Sequence, residues 1–187
     1  MRNYRKLAGL LLAVTASALF SVASAGAAHA GGPIKPHVPG DFPHLINRGS
    51  GKCIDVDTDS PGGPQAPGAR VQQYNCHDVE EQGWRLRPTG DGYTQLQNQR
   101  SLQCITVHGG WIGDNVPTEQ QPCDDNNDAQ KFNQFVLPGH NPDRYFALTP
   151  KMQGGRCLVP QFYQNGDHAS IVTLSCSGDF HEHWRHA

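Results

Sequence analysis

Apolar residues form one long run, Leu7 to Ala23, and after it only short clusters. In the stretch that follows, those clusters are Leu45–Asn47, Cys53–Val56, Arg70–Asn75 and Trp84–Leu86, separated by Gly, Ser, Pro and Asp. Short clusters bounded by turn-forming residues predict β-strands. Composition strengthens this reading. Gly (21) and Pro (14) make up 35 of 187 residues, about 19% against a norm of about 12%, which argues against a helical bundle.

The long run has a different explanation. Arg2, Arg5 and Lys6 precede it, and small residues lead from it to Ala28-His29-Ala30, with Ala23-Ser24-Ala25 as a second cleavage candidate. A positive start, an apolar middle and an A-x-A end predict a secretory signal peptide over residues 1–30, cleaved near Ala30. The run is too short for a membrane span, contains Thr15, Ser17 and Ser21, and has no stop-transfer charges after it. Residues 31–41, with Pro33, Pro36 and Pro39, read as a linker. The folded, secreted domain is expected over residues 42–187.

That region repeats three times. Cysteines fall as Cys53 and Cys76, Cys104 and Cys123, Cys157 and Cys176, and an aromatic follows each pair: Trp84, Phe132 and Trp184. Leu45 to Val56 parallels Leu96 to Val107, and Leu148 to Val159 is a looser third copy. The copies close on Gln82-Gly83-Trp84, Gln130-Lys131-Phe132 and Glu182-His183-Trp184. The copies are expected at about 42–88, 93–138 and 144–187. About four strands in each predict an all-β barrel of twelve, capped by hairpins, with the three aromatics in a shared core. Six cysteines allow fifteen pairings; the repeat selects the one in which each copy carries its own disulfide.

Charge narrows the function. The formal −2 becomes −5 once Arg2, Arg5 and Lys6 leave with the leader. A mildly acidic chain lacks the clustered cations that nucleic acid requires. No membrane partner is expected, and a monomer is.

Cys-Ile-Asp-Val at 53–56, Val-Gln-Gln-Tyr-Asn-Cys at 71–76 and Gln-x-Trp at 82–84 resemble the ricin B-type (R-type) lectin family, also called carbohydrate-binding module family 13. The likeness spans about Phe42–Ala187. It implies a β-trefoil, one shallow sugar pocket per copy, and no metal or other cofactor. It assigns sugar binding to Asp55, Gln72, Tyr74, Glu81 and Gln82. The matching positions are Thr106, Glu119, Gln121 and Ala129 in the second copy, and Val159, Val172, Leu174 and His181 in the third. Only the first copy keeps a full set. There Asp55 can accept hydrogen bonds from two neighbouring hydroxyls, Tyr74 can cover the apolar face of a sugar ring, and Gln72 and Gln82 can fix its orientation. Glu81 stands where the family usually has Asn and adds negative charge beside Asp55. The structural alternative for Asp55 is a turn-capping carboxylate, and for Tyr74 plain strand packing.

Other features carry less. Trp111 is expected to cover the barrel edge, with an exposed stacking platform as the alternative. Phe162 and Tyr163, beside Asn165 and Asp167, are an outside candidate for a third pocket. Asp124–Asp128 resembles a calcium loop but has Ala129 at the needed Gly and Phe135 at the needed Glu, so a solvated turn is expected. His181, His183 and His186 match no metal motif. The leading expectation is a secreted, freestanding lectin for galactose-, xylose- or arabinose-containing glycans or polysaccharides, acting without catalysis. The alternative is a trefoil that binds a secreted protein, such as a hydrolase.

Overall fold

The computed structural model describes residues 42–135, 145–152 and 154–187. The expected leader (1–30), linker (31–41), and the boundaries at 138 and 144 lie outside the described residues.

Each copy supplies four strands. The first gives β1 (Leu45–Asn47), β2 (Cys53–Val56), β3 (Val71–Tyr74) and β4 (Trp84–Pro88). The second gives β5 (Thr94–Asn98), β6 (Cys104–Val107), β7 (Val116–Gln121) and β8 (Phe132–Phe135). The third gives β9 (Phe146–Pro150), β10 (Arg156–Pro160), β11 (Ile171–Ser175) and β12 (His183–His186). The Arg70–Asn75 segment is shorter than its pattern predicts: Arg70 C=O still accepts from Asp57 N–H, and Arg70 also forms an isolated bridge to Glu119 of the second copy, outside the strand. The Trp84–Leu86 segment is longer, running to Pro88, whose missing N–H suits a strand end.

The antiparallel pairs β4–β5, β5–β8, β8–β9, β9–β12 and β12–β1 form a barrel wall. Trp84 N–H donates to Pro43 C=O beside β1 and closes the ring. The hairpins β2–β3, β6–β7 and β10–β11 cap it. Six wall strands under three hairpins are the capped barrel that the threefold repeat predicts and the β-trefoil that the family resemblance implies. The disulfides join Cys53 to Cys76, Cys104 to Cys123 and Cys157 to Cys176, one per copy.

Core positions come in threes. Leu45, Leu96 and Leu148 are fully buried, as are Ile54, Ile105 and Leu158 and the aromatics Trp84, Phe132 and Trp184. Both indoles are also tied down, Trp84 Nε1 to Ile54 C=O and Trp184 Nε1 to Leu158 C=O, each at 2.9 Å. The three aromatics are thus core, not sugar platforms.

The copies clasp one another in a cycle. Gln73 of the first donates to Gln164 and Gly166 C=O in the third-copy loop. Gln120 of the second holds Pro64 and Ala66 C=O of the first, and Thr173 of the third holds Gly113 C=O of the second. Two loops add a carboxylate lock: Asp167 binds Asn75 N–H and Lys52, and Asp114 binds Ser175 N–H and Arg156. The first-copy loop has Pro67 at that position and no such lock.

One place breaks the symmetry at a cost. The turn before each first cysteine needs a left-handed residue, which is Gly51 (φ 70°), Gly155 (φ 79°) and, in the second copy, Leu102 (φ 58°). A left-handed L-residue costs about 1–2 kcal/mol, and glycine's extra chain entropy offsets about 0.5–1 of that. Leu102 is also exposed, so little packing is lost. Leu102→Gly should therefore raise stability by about 0.5–1 kcal/mol, or roughly 1–4 °C in melting temperature. A melt at or below wild type would refute the strain.

Candidate functional site

The two-residue period of the β2–β3 hairpin sorts its side chains. Ile54, Val56 and Val71 join the core, which leaves Asp55, Gln72 and Tyr74 on the outer face. Register then sets Asp55 opposite Gln72. The 3-10 turn Glu80–Gln82 brings up Gln82.

These residues interlock. Gln72 Nε2 donates to Asp55 Oδ1 at 2.9 Å, and Gln82 Nε2 donates to Oδ2 at 3.0 Å. Gln82 also donates to Asn75 C=O and accepts from His77 N–H. Asp55 is only 6% exposed, so burial pushes its carboxyl above the usual aspartate range. The bonds from Gln72 and Gln82 oppose the shift, and the charges of Glu81 and Asp57 add to it. Glu81 itself pairs with Arg100 Nε at 3.1 Å.

Sequence reasoning missed four members. Asp57 anchors Arg70, whose Nη2 donates to Gln72 Oε1 at 3.1 Å. His168, from the loop stapled by Asp167, faces the same Gln72 oxygen at 3.3 Å and meets the Tyr74 ring edge-on at 4.9 Å. The His77 ring centroid lies 5.9 Å from that of Tyr74, tilted to it. The period of two could have grouped Asp57 with Asp55 and Arg70 with Gln72. Nothing local points to His168. Half-buried Tyr74 is thus walled by imidazoles, and a polar chain runs Asp57–Arg70–Gln72–Asp55–Gln82.

The other copies vary one theme. The Asp55–Gln72 register pair becomes Thr106–Glu119 in the second copy and Val159–Val172 in the third. The turn residue adapts. Gln130 donates to Thr106 Oγ1 and Pro122 C=O. Glu182, facing no side-chain acceptor at Val159, instead accepts from Ser177 N–H, Ser177 Oγ and Gly178 N–H. In the third copy Tyr163 packs on the Val159–Val172 cluster, while Phe162 is exposed.

Asp124–Asp128 works as a turn: Asp124 caps Asn126 N–H, Asn127 caps Ala129 N–H, Asp125 pairs with Arg87, and Asp128 pairs with Lys131 and Lys151. The three histidines have separate surroundings. His181 pairs with Asp179 and Asn165, His183 meets Arg48, and His186 lies against Phe146 with burial lowering its pKa. Trp111 does not cover the barrel edge; it is 64% exposed.

Comparison with known proteins agrees with this fold. Residues 35–121 match the family described as ricin-type beta-trefoil lectin domain-like. No curated protein matches the chain. Among solved structures, the designed threefold-symmetric protein ThreeFoil is 28% identical with a TM-score of 0.70, over 78% of this chain and 97% of that one. The Rhizoctonia solani agglutinin is 18% identical (TM-score 0.66; 81% of this chain, 97% of that one). The Macrolepiota procera ricin B-like lectin, solved with lactose, is 14% identical (TM-score 0.65; 81% and 98%). At these identities the two lectins share the fold.

Proposed function

We propose that this chain is a secreted carbohydrate-binding module that holds galactose-, xylose- or arabinose-containing glycans through its first copy, without catalysis. The observation that carries the reading is the first-copy hairpin face, where a carboxylate, two amides and a phenol ring converge. Asp55 accepts from sugar hydroxyls as Gln72 releases it, Gln82 keeps the carboxylate aimed, and Tyr74 offers its ring to the C–H face. The ricin-type match and the lactose-bound neighbour support carbohydrate as the ligand class. One shallow pocket gives modest affinity, about −4 to −6 kcal/mol. The expected leader over residues 1–30 supports secretion.

A glycan array followed by titration calorimetry tests this reading. Asp55→Ala should lower affinity at least tenfold, about 1.4 kcal/mol or more. Acid should do the same, and the sign separates binding from folding. The folded state holds the Asp55 proton more tightly than the unfolded chain, so protonation here stabilises the fold as pH falls. The ionised acceptor is lost over the same interval, beginning above the range of an ordinary aspartate. Binding should therefore fade while the domain is still folded. Wild type that binds no glycan would overturn the reading.

A second reading, a protein-binding trefoil, is favoured by one observation: the third-copy pair Val159–Val172 is apolar and covered by the chain's own Tyr163. Capture of a secreted hydrolase by wild type, without glycan binding, would support it.

A further inference from the structure

We infer that His168, from the third copy, is a binding residue of the first-copy site and fits that site to a chain of sugar units rather than to a single one. The inference rests on the carbohydrate reading above and adds the length of the ligand to it.

The position of His168 recurs in all three copies. It is the left-handed residue just before the later hairpin strand: Gly68 (φ 84°), Asn115 (φ 63°) and His168 (φ 66°). Each donates its N–H to a neighbouring copy, Gly68 to Gln120 C=O, Asn115 to Thr173 C=O and His168 to Gln73 C=O. Glycine takes this conformation freely and asparagine tolerates it. A ring-bearing residue there carries backbone strain, and residues held in strain cluster at functional sites.

The His168 ring is directed at the first-copy site. Its Nδ1 lies 3.3 Å from Gln72 Oε1, and it meets the Tyr74 ring edge-on (4.9 Å, 68°). Third-copy backbone holds it there: Gln73 N–H donates to Ala169 C=O, Gln72 bridges Ser170, and Asp167 binds Asn75 N–H. The strand that carries Gln72 and Tyr74 is thus bordered along its length by another copy. The matching borders of the other hairpins bring only Gly68 and Asn115, which have no ring.

The chemistry follows from the ring nitrogens. Gln72 Oε1 can only accept, so Nδ1 carries the proton and a neutral ring presents Nε2 as an acceptor. Among the described residues no group binds Nε2, and His168 is exposed. A sugar stacked on Tyr74 covers the face of that ring, while His168 stands at its edge. Nε2 therefore meets what is joined to the stacked sugar: a hydroxyl of the next unit in the chain.

Titration calorimetry with galactose, xylose and arabinose, each alone and as an oligosaccharide, tests this. In wild type the bound oligosaccharide should hold about three- to tenfold more tightly than its single sugar, the gain from one added hydrogen bond. His168→Gly and His168→Asn suit the backbone, because the other copies use those residues there, so both variants should fold and melt like wild type. Both should abolish the gain. Single-sugar affinity should stay close to wild type, since Arg70 still holds Gln72 Oε1. A gain that is missing in wild type, or that survives in both variants while Asp55→Ala still abolishes binding, would overturn this inference and leave the first-copy reading intact. An equal loss for single sugars and oligosaccharides would overturn it too, reducing His168 to a support for Gln72 and Tyr74. Absence of glycan binding in wild type would overturn both readings.

Discussion

Reduction of all three disulfides is expected to unfold the domain at room temperature. Each bond closes a loop of similar size, with sequence separations of 23, 19 and 19. In the chain-entropy account such a loop contributes about 3 kcal/mol by restricting the unfolded chain. Three independent loops therefore supply about 9 kcal/mol, comparable to the whole stability of an ordinary domain, about 5–15 kcal/mol. Little else offsets the loss, because the strands are short and the connections rich in glycine and proline. In each pair the first cysteine is buried in its strand, whereas the second lies in a more accessible segment, so a small phosphine can reach the bonds without prior unfolding. Thermal melts with and without reductant, followed by near-ultraviolet circular dichroism, give the answer. A reduced protein that melts cooperatively within a few degrees of the oxidised one would refute the estimate. Removing only Cys104 and Cys123 together should cost about a third as much.

The second large effect is expected at Trp84. Replacing it with alanine removes a fully buried indole from the barrel and strands the Ile54 carbonyl that it binds. Large-to-small changes of this kind cost about 3–5 kcal/mol. Trp84→Phe should cost much less, about 1–2 kcal/mol, since it keeps most of the volume and loses mainly the hydrogen bond. The second copy already uses Phe132 at this position in an equally buried setting. Chemical denaturation of the three proteins separates the volume effect from the polar one. If Trp84→Ala lost less than about 1 kcal/mol, the idea of a shared aromatic core would be wrong.

Much of the candidate site could be read from the chain, and the reason is local. Asp55 and Gln72 share an outer face because strand side chains alternate, and the β2–β3 pairing sets them opposite each other. Gln82 sits a fixed distance from Trp84, whose burial anchors the turn. The same logic accounts for the second copy losing its strand aromatic and the third losing both polar partners. His168 was illegible because it stands 96 residues from Gln72. It reaches the first copy only because Asp167 and the Gln73 clasp hold the third-copy loop against β3. Trp111 was misjudged for a similar reason. An indole in a Gly-rich turn can fold over an edge or face outward, and His108 and Gly109 hold it outward.

The amino-acid sequence by itself determined the number of copies, the strand content, the disulfide pairing and the aromatic core, since each follows from spacing and alternation among near neighbours. Only the tertiary structure decided how the copies clasp around the axis, that both Asp55 oxygens are held by amides, and which rings flank Tyr74. Those contacts join separate copies or depend on burial, and they exist only once the barrel closes and brings distant loops within hydrogen-bonding distance.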